Sequence, residues 1–134
     1  MWMWGDRLID GESTGLGKWQ ASMNGTYPAV DMIPKDILIC DWHYKVAPPT
    51  AFMFASKGFD VVSCSHQVPE VAITQLNEMK QAQSGDADTS KHMRGVLHTF
   101  WGNTSEFMDA FEGKQVSAKT KDAYKTFIEL SEKW

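Results

Sequence analysis

The sequence predicts an α/β fold built on a small parallel sheet, and three observations predict it. Four short apolar runs alternate with segments of helical periodicity. The runs are largely continuous rather than alternating in polarity, as suits strands buried on both faces of a parallel sheet. Each run turns polar or aromatic at its end, and right-handed crossovers place all such ends on one edge. Ligand sites of parallel α/β folds lie at that edge.

The chain opens on Trp2-Met3-Trp4-Gly5-Asp6-Arg7-Leu8-Ile9, which reads as a strand without lead-in. A domain that starts mid-strand suggests that the natural N-terminus lies elsewhere. Residues 10–34 are loop-rich, punctuated by Gly11, Gly15, Gly17, Gly25 and Pro28, with a short helix near Tyr27 to Met32. Ile37 to Tyr44 is the second strand. Pro48-Pro49 precede a helix over Thr50 to Lys57, with Gly58 at its C′ position. Phe59 to Ser65 is the third strand. Pro69 opens a helix to about Gln83, with Ala72, Leu76, Met79 and Gln83 on one face. Residues 84–88 form a polar loop, and Gly95 to Trp101 the fourth strand. Asn103 or Thr104 caps a helix whose Phe107, Met108 and Phe111 face inward. Ala118 to Trp134 is a last amphipathic helix, carrying Tyr124, Phe127, Ile128 and Trp134.

Composition narrows the function. The 134 residues suit one domain, and a 43% hydrophobic content suits a packed core. A net charge of −4 without a basic run argues against nucleic acid. No stretch approaches the ~20 apolar residues of a membrane span. Cys40 and Cys64 are too few for a disulfide scaffold and read as buried thiols. No C-x₂-C or H-x₃-H spacing marks a metal site, although His43, His66 and His98 lie on or near strands. Strand alternation puts Leu38, Cys40 and Trp42 on one sheet face and His43 on the other. No glycine-rich phosphate loop follows a strand. Six Trp are many for this length, and a Trp face matches the C–H face of a pyranose.

Four motifs in order resemble a known family. Trp4 and Asp6 end the first strand; Ile33-Pro34-Lys35-Asp36 leads into Ile37-Leu38-Ile39-Cys40-Asp41-Trp42; Gly58-Phe59-Asp60-Val61-Val62-Ser63 forms the third; and Phe100-Trp101-Gly102 closes the fourth. This set is similar to strands five to eight of the catalytic (β/α)₈ barrel of family 20 glycoside hydrolases, the β-N-acetylhexosaminidase group. The resemblance covers roughly Trp2 to Gly113. It implies a single half-barrel domain over 1–134, with βα units over 1–113 and a C-terminal helix over 114–134. It also implies a carbohydrate substrate contacted by Trp4, Asp6, Trp42, Tyr44, His66, Gln67, Trp101 and Asn103. His66 and Gln67 stand nearest to where the family places a Tyr against the acetamido group, and Asn103 where it places a Glu.

The family's catalytic Asp-Glu pair belongs to strand four, so the resemblance gives this chain substrate contacts and no catalytic residue. That chemistry uses the substrate's own acetamido oxygen as nucleophile, outside the usual two-carboxylate scheme. The expectation is therefore a glycosidase fragment that is inactive alone, needs no cofactor or metal, and self-associates or joins an N-terminal half. A non-catalytic carbohydrate-binding or scaffold module is the alternative. A doubly wound, flavodoxin-like domain is a third reading.

Overall fold

Short β-rich runs flanked by Gly and Pro leave the chain little choice but strand–turn–helix units. The computed structural model, which describes residues 1–85 and 87–134, shows four of them. The strands are β1 (Trp2–Trp4), β2 (Leu38–Trp42), β3 (Val61–Ser65) and β4 (Met93–His98). All neighbours pair parallel, in the order β1-β2-β3-β4. The helices are α1 (Gly17–Gln20), α2 (Thr50–Ser56), α3 (Pro69–Gln83), α4 (Ala87–Ser90), α5 (Thr104–Phe111) and α6 (Ala118–Lys133). The α/β class and the sequential parallel order are as the sequence predicts.

The two sheet faces differ. One buries Ile39 and Val61 with Phe54 and Ala55 of α2, Met79 of α3, and Leu8, Ile9 and Phe59 from the connections. Phe54 and Phe59 are fully buried and meet edge to face, 6.4 Å between ring centres. Burying each such ring contributes about 2–3 kcal/mol. Leu76 and Ala72 of α3 extend this layer to Leu130 of α6 and Val96 of β4. The opposite face carries Leu38, Cys40, Trp42, Val62, Cys64 and Leu97, and among the described residues no helix residue joins that cluster. The doubly wound reading, which needs helices on both faces, is not met by this arrangement.

Several boundaries differ from the sequence reading. β1 stops at Trp4, and Asp6–Leu8 form a 3₁₀ turn instead of continuing the strand. The turn passes tightly over α2: a Cβ on Gly5 would lie 2.8 Å from Ile39 Cγ2 and 2.9 Å from Phe54 Cζ. Leu8 and Ile9 thereby enter the core. α1 lies inside the segment read as loop, while a 3₁₀ turn at Tyr27–Asp31 matches the short helix expected there. β2 ends before His43 and Tyr44, which are in no strand. β4 starts and ends earlier than read, because Val61 pairs with Met93 and Val62 with Gly95, leaving Arg94 as an extra residue.

α2 ends as expected, with Lys57 capping and Gly58 at φ 82°. α3 has the expected bounds and buries Ala72, Leu76 and Met79. Gln83 is exposed, however, and its Nε2 donates to the Met93 carbonyl. Residue 86 of the expected polar loop lies outside the described residues, and the turn of α4 begins just after it. Asn103 caps α5 by accepting from the Ser105 N–H at 2.9 Å. On α5 Phe107 and Phe111 pack on α6, Phe111 meeting Tyr124 at 4.9 Å while staying 44% exposed; Met108, also expected to face inward, is 56% exposed. Trp134, read as part of the apolar stripe of the last helix, is also exposed.

Candidate functional site

The C-terminal ends of β1, β2 and β4 bring aromatic residues together. Trp4, Asp6, Trp42, Tyr44 and Trp101 line a cleft of about 380 Å³. All five are among the eight residues expected to contact substrate. Trp4 ends β1 and Trp42 ends β2, so the sheet itself sets their spacing. Trp4 and Trp101 rings lie 5.9 Å apart, tilted by 45°, and Trp42 and Tyr44 rings 5.1 Å apart. Trp4 is 41% and Trp101 64% exposed, so flat apolar surface is open to a ligand. Asp6 supplies the one carboxylate of this lining, and its Oδ2 accepts from Arg7 Nε at 2.6 Å. Arg7 is itself braced by the Lys18 carbonyl at 3.0 Å.

Tyr44 stands at the centre. Its phenol oxygen lies 2.6 Å from Trp101 Nε1 and 2.9 Å from Thr99 Oγ1. Burial raises its pKa, and the bonds with Thr99 and Trp101 partly oppose that rise. The other side of its ring meets His66 at 5.1 Å.

The remaining three expected contacts are used differently. His66 is buried behind Tyr44 rather than at the rim; its Nδ1–H donates to the Thr99 carbonyl at 2.8 Å. Burial lowers its pKa, with the Thr99 carbonyl pulling the other way, so a neutral ring is favoured. Gln67 turns away from the cleft and donates to the Lys119 carbonyl at 3.2 Å. Asn103 spends its side chain on the α5 cap. Below the cleft, on the bare sheet face, Cys40 and Cys64 are buried free thiols. Their shared hydrogen bond raises the Cys64 pKa, with burial adding to the rise, and keeps that thiol protonated.

A second constellation escaped the sequence reading. On the helix-bearing side, His43 Nε2 meets Asp41 Oδ1 at 3.1 Å and Thr50 Oγ1 at 2.9 Å, and Thr50 donates to Asp41 Oδ2 at 2.7 Å. His43 Nδ1 meets Gln20 Oε1 at 2.8 Å, and Gln75 Nε2 donates to the His43 carbonyl. The available signal was alternation: residues 41 and 43 of one extended run share a face. The group resembles a nucleophile–base–acid set only in composition. Carboxylate and hydroxyl sit on the same imidazole nitrogen, whereas a proton relay needs them on opposite ones. Asp41, His43 and Thr50 are 1–5% exposed, so they fasten β2 to α2 rather than meet substrate. A larger hollow of about 600 Å³ adjoins Thr50, lined by apolar Leu8, Val30, Pro49 and Met53 and by polar Asp10, Ser13, Asp31 and Lys57. Its two carboxylates are engaged by neighbours, Asp31 by Lys57 at 2.6 Å and Asp10 by Ser13.

The cleft can therefore stack a flat apolar ligand face and offer a carboxylate at its margin. It holds no acid–base pair. Among the described residues, no three of His, Cys, Asp and Glu gather to hold a metal, and no helix is long and apolar enough to cross a membrane. No protein-family model and no curated protein sequence matches the chain.

Proposed function

We propose that this chain is the strand-five-to-eight half of a (β/α)₈ glycoside hydrolase barrel of the β-N-acetylhexosaminidase type, contributing one wall of a sugar cleft. The observation that carries the reading is the convergence of Trp4, Asp6, Trp42, Tyr44 and Trp101 on one cleft at the C-terminal edge of a sequentially ordered parallel sheet. A helix-free second face is the geometry of barrel strands, whose inner side chains pack on strands from across the barrel. Aromatic platforms with a carboxylate nearby suit a pyranose, whose C–H face stacks while its hydroxyls bond at the rim.

The reading is of binding without turnover. Asp6 is the single carboxylate in the cleft and is engaged by Arg7, so no free general acid faces a glycosidic oxygen. That observation also favours the second reading, a non-catalytic carbohydrate-binding module. Titration of the chain with millimolar N-acetylglucosamine tests both: Trp fluorescence shifts, and Trp101→Ala abolishes the shift while the far-UV dichroism stays unchanged. No shift in the parent chain overturns the sugar reading. Steady hydrolysis of an aryl N-acetyl-β-hexosaminide by the purified chain overturns the claim of binding without turnover.

A further inference from the structure

Trp101 is the most exposed wall of the cleft, and it lies beyond the end of β4, where no ladder hydrogen bonds fix it. An indole so placed has several rotamers open to it, and ordering a side chain when ligand arrives costs affinity. Its ring is nevertheless tied. Trp101 Nε1–H can only donate, so it donates to the Tyr44 oxygen at 2.6 Å. Thr99 Oγ1 lies 2.7 Å from the Ser65 carbonyl oxygen and 2.9 Å from the Tyr44 oxygen. Two oxygens at 2.7 Å repel unless a proton lies between them, and a carbonyl has none, so Thr99 donates to Ser65. Its lone pair then accepts the Tyr44 proton. The bonds run in one direction, from Trp101 N–H through the Tyr44 and Thr99 hydroxyls to the Ser65 carbonyl.

Each link is anchored. Ser65 is the last residue of β3, and its carbonyl also accepts the Thr99 N–H at 2.9 Å. The Thr99 carbonyl holds His66 Nδ1–H at 2.8 Å, and the rings of His66 and Trp42 flank Tyr44 at 5.1 Å each. Tyr44 is therefore the least movable part of the cleft, and Trp101 the most exposed part attached to it.

We propose that Tyr44 is a positioning residue: through the strut from Ser65 and Thr99 it fixes the Trp101 ring in the orientation that presents a ready-made platform to ligand. This rests on the cleft being a sugar site for its consequence on affinity, and on the geometry alone for its consequence on Trp101. A chain of bonds through two hydroxyls is polarised along its length, so loss of a distal link weakens the proximal one.

The experiment follows the indole N–H signals of ¹⁵N-labelled protein, with Trp101 assigned by its loss in Trp101→Phe. In Tyr44→Phe the ring stays and only the hydroxyl goes. The Trp101 N–H signal is expected to move upfield and to exchange faster with water, while the other indole signals keep their positions within line width. Thr99→Val, which removes the distal link alone, is expected to give a smaller change in the same direction. N-acetylglucosamine is expected to bind Tyr44→Phe about 2- to 10-fold more weakly than the parent chain, the worth of one hydrogen bond. An unmoved Trp101 signal in Tyr44→Phe overturns the strut. A moved signal with unchanged sugar affinity overturns the positioning role. A parent chain that binds no sugar, with the Trp101 signal still moved by Tyr44→Phe, sinks the sugar reading and leaves the strut standing.

Discussion

The indole of Trp134 lies over Gly95 so closely that a Cβ there would be 2.7 Å from its Cη2. Gly95 also sits at φ 129°, where L side chains are strained. The residue lies just after the extra residue of β4, so the bulge and the C-terminal ring share one small space. Gly95→Ala should therefore destabilise the fold by about 1–3 kcal/mol. The double variant Gly95→Ala/Trp134→Ala should recover part of that loss, since it removes the clash and keeps the backbone strain. Denaturant unfolding of the single and double variants measures both parts; full recovery would show that strain contributes nothing.

Asp41 carries the buried polar cluster beneath α2. Removing it leaves His43 Nε2 without its carboxylate and takes from the Thr50 hydroxyl its 2.7 Å acceptor, with His43 Nε2 still beside it at 2.9 Å. Asp41→Ala should cost about 1–3 kcal/mol, as leaving buried polar partners without their hydrogen bonds does. Thr50→Val should cost less, because the Asp41–His43 contact remains. The same unfolding measurements rank the two, and a Thr50 variant worse than the Asp41 variant would contradict the assignment.

Stability should fall on mild acidification, and His98 is the principal reason. Burial lowers its pKa from 6.5 to about 4, with the nearby His66 adding to the shift. Its Nε2 is buried without a hydrogen-bond partner among the described residues, so the ring resists a second proton. With the folded pKa below the unfolded one, the unfolded chain binds more protons between pH 6.5 and 4. The contribution of His98 is thus nil above pH 6.5, falls as pH drops to about 4, and levels off below that. The ring is partly exposed, so the effect should be about 1–2 kcal/mol rather than the full shift. His98→Phe, which keeps an aromatic ring against Phe107 and Phe127, should flatten the slope. An unchanged slope between pH 7 and 4.5 would assign it elsewhere.

Self-association follows from the half-barrel reading. β1 and β4 each pair on one side only, and the face bearing Leu38, Trp42 and Leu97 has no helix over it. Open parallel edges and an uncovered apolar face drive pairing with another chain. Light scattering at tens of micromolar should show a dimer or larger species, and Leu97→Glu should shift it toward monomer. A stable monomer with protected edge-strand amides would count against the half-barrel reading.

How much of this was legible before folding depends on the range of the interactions. α3 has the bounds read for it because Pro69 and the apolar spacing of Ala72, Leu76 and Met79 are local signals. The sequence overextends β1 because nothing within Trp2 to Ile9 reveals that Phe54 and Ile39 crowd Gly5. Helical spacing puts Met108 on an apolar stripe but does not show whether a second layer covers it, and none does: it is 56% exposed.

The sequence by itself determined the parallel order of strands and the gathering of Trp4, Asp6, Trp42, Tyr44 and Trp101 at one edge. Right-handed crossovers between consecutive parallel strands leave the strand ends nowhere else to go. Only the tertiary structure decided what each side chain does there. The Trp101–Tyr44 bond joins residues 57 apart in sequence, and Gln67 finds the Lys119 carbonyl 52 residues away. Such pairings depend on the packing of separate elements to within a fraction of an ångström, because a hydrogen bond weakens steeply with misplacement. Neither residue type nor spacing encodes that placement.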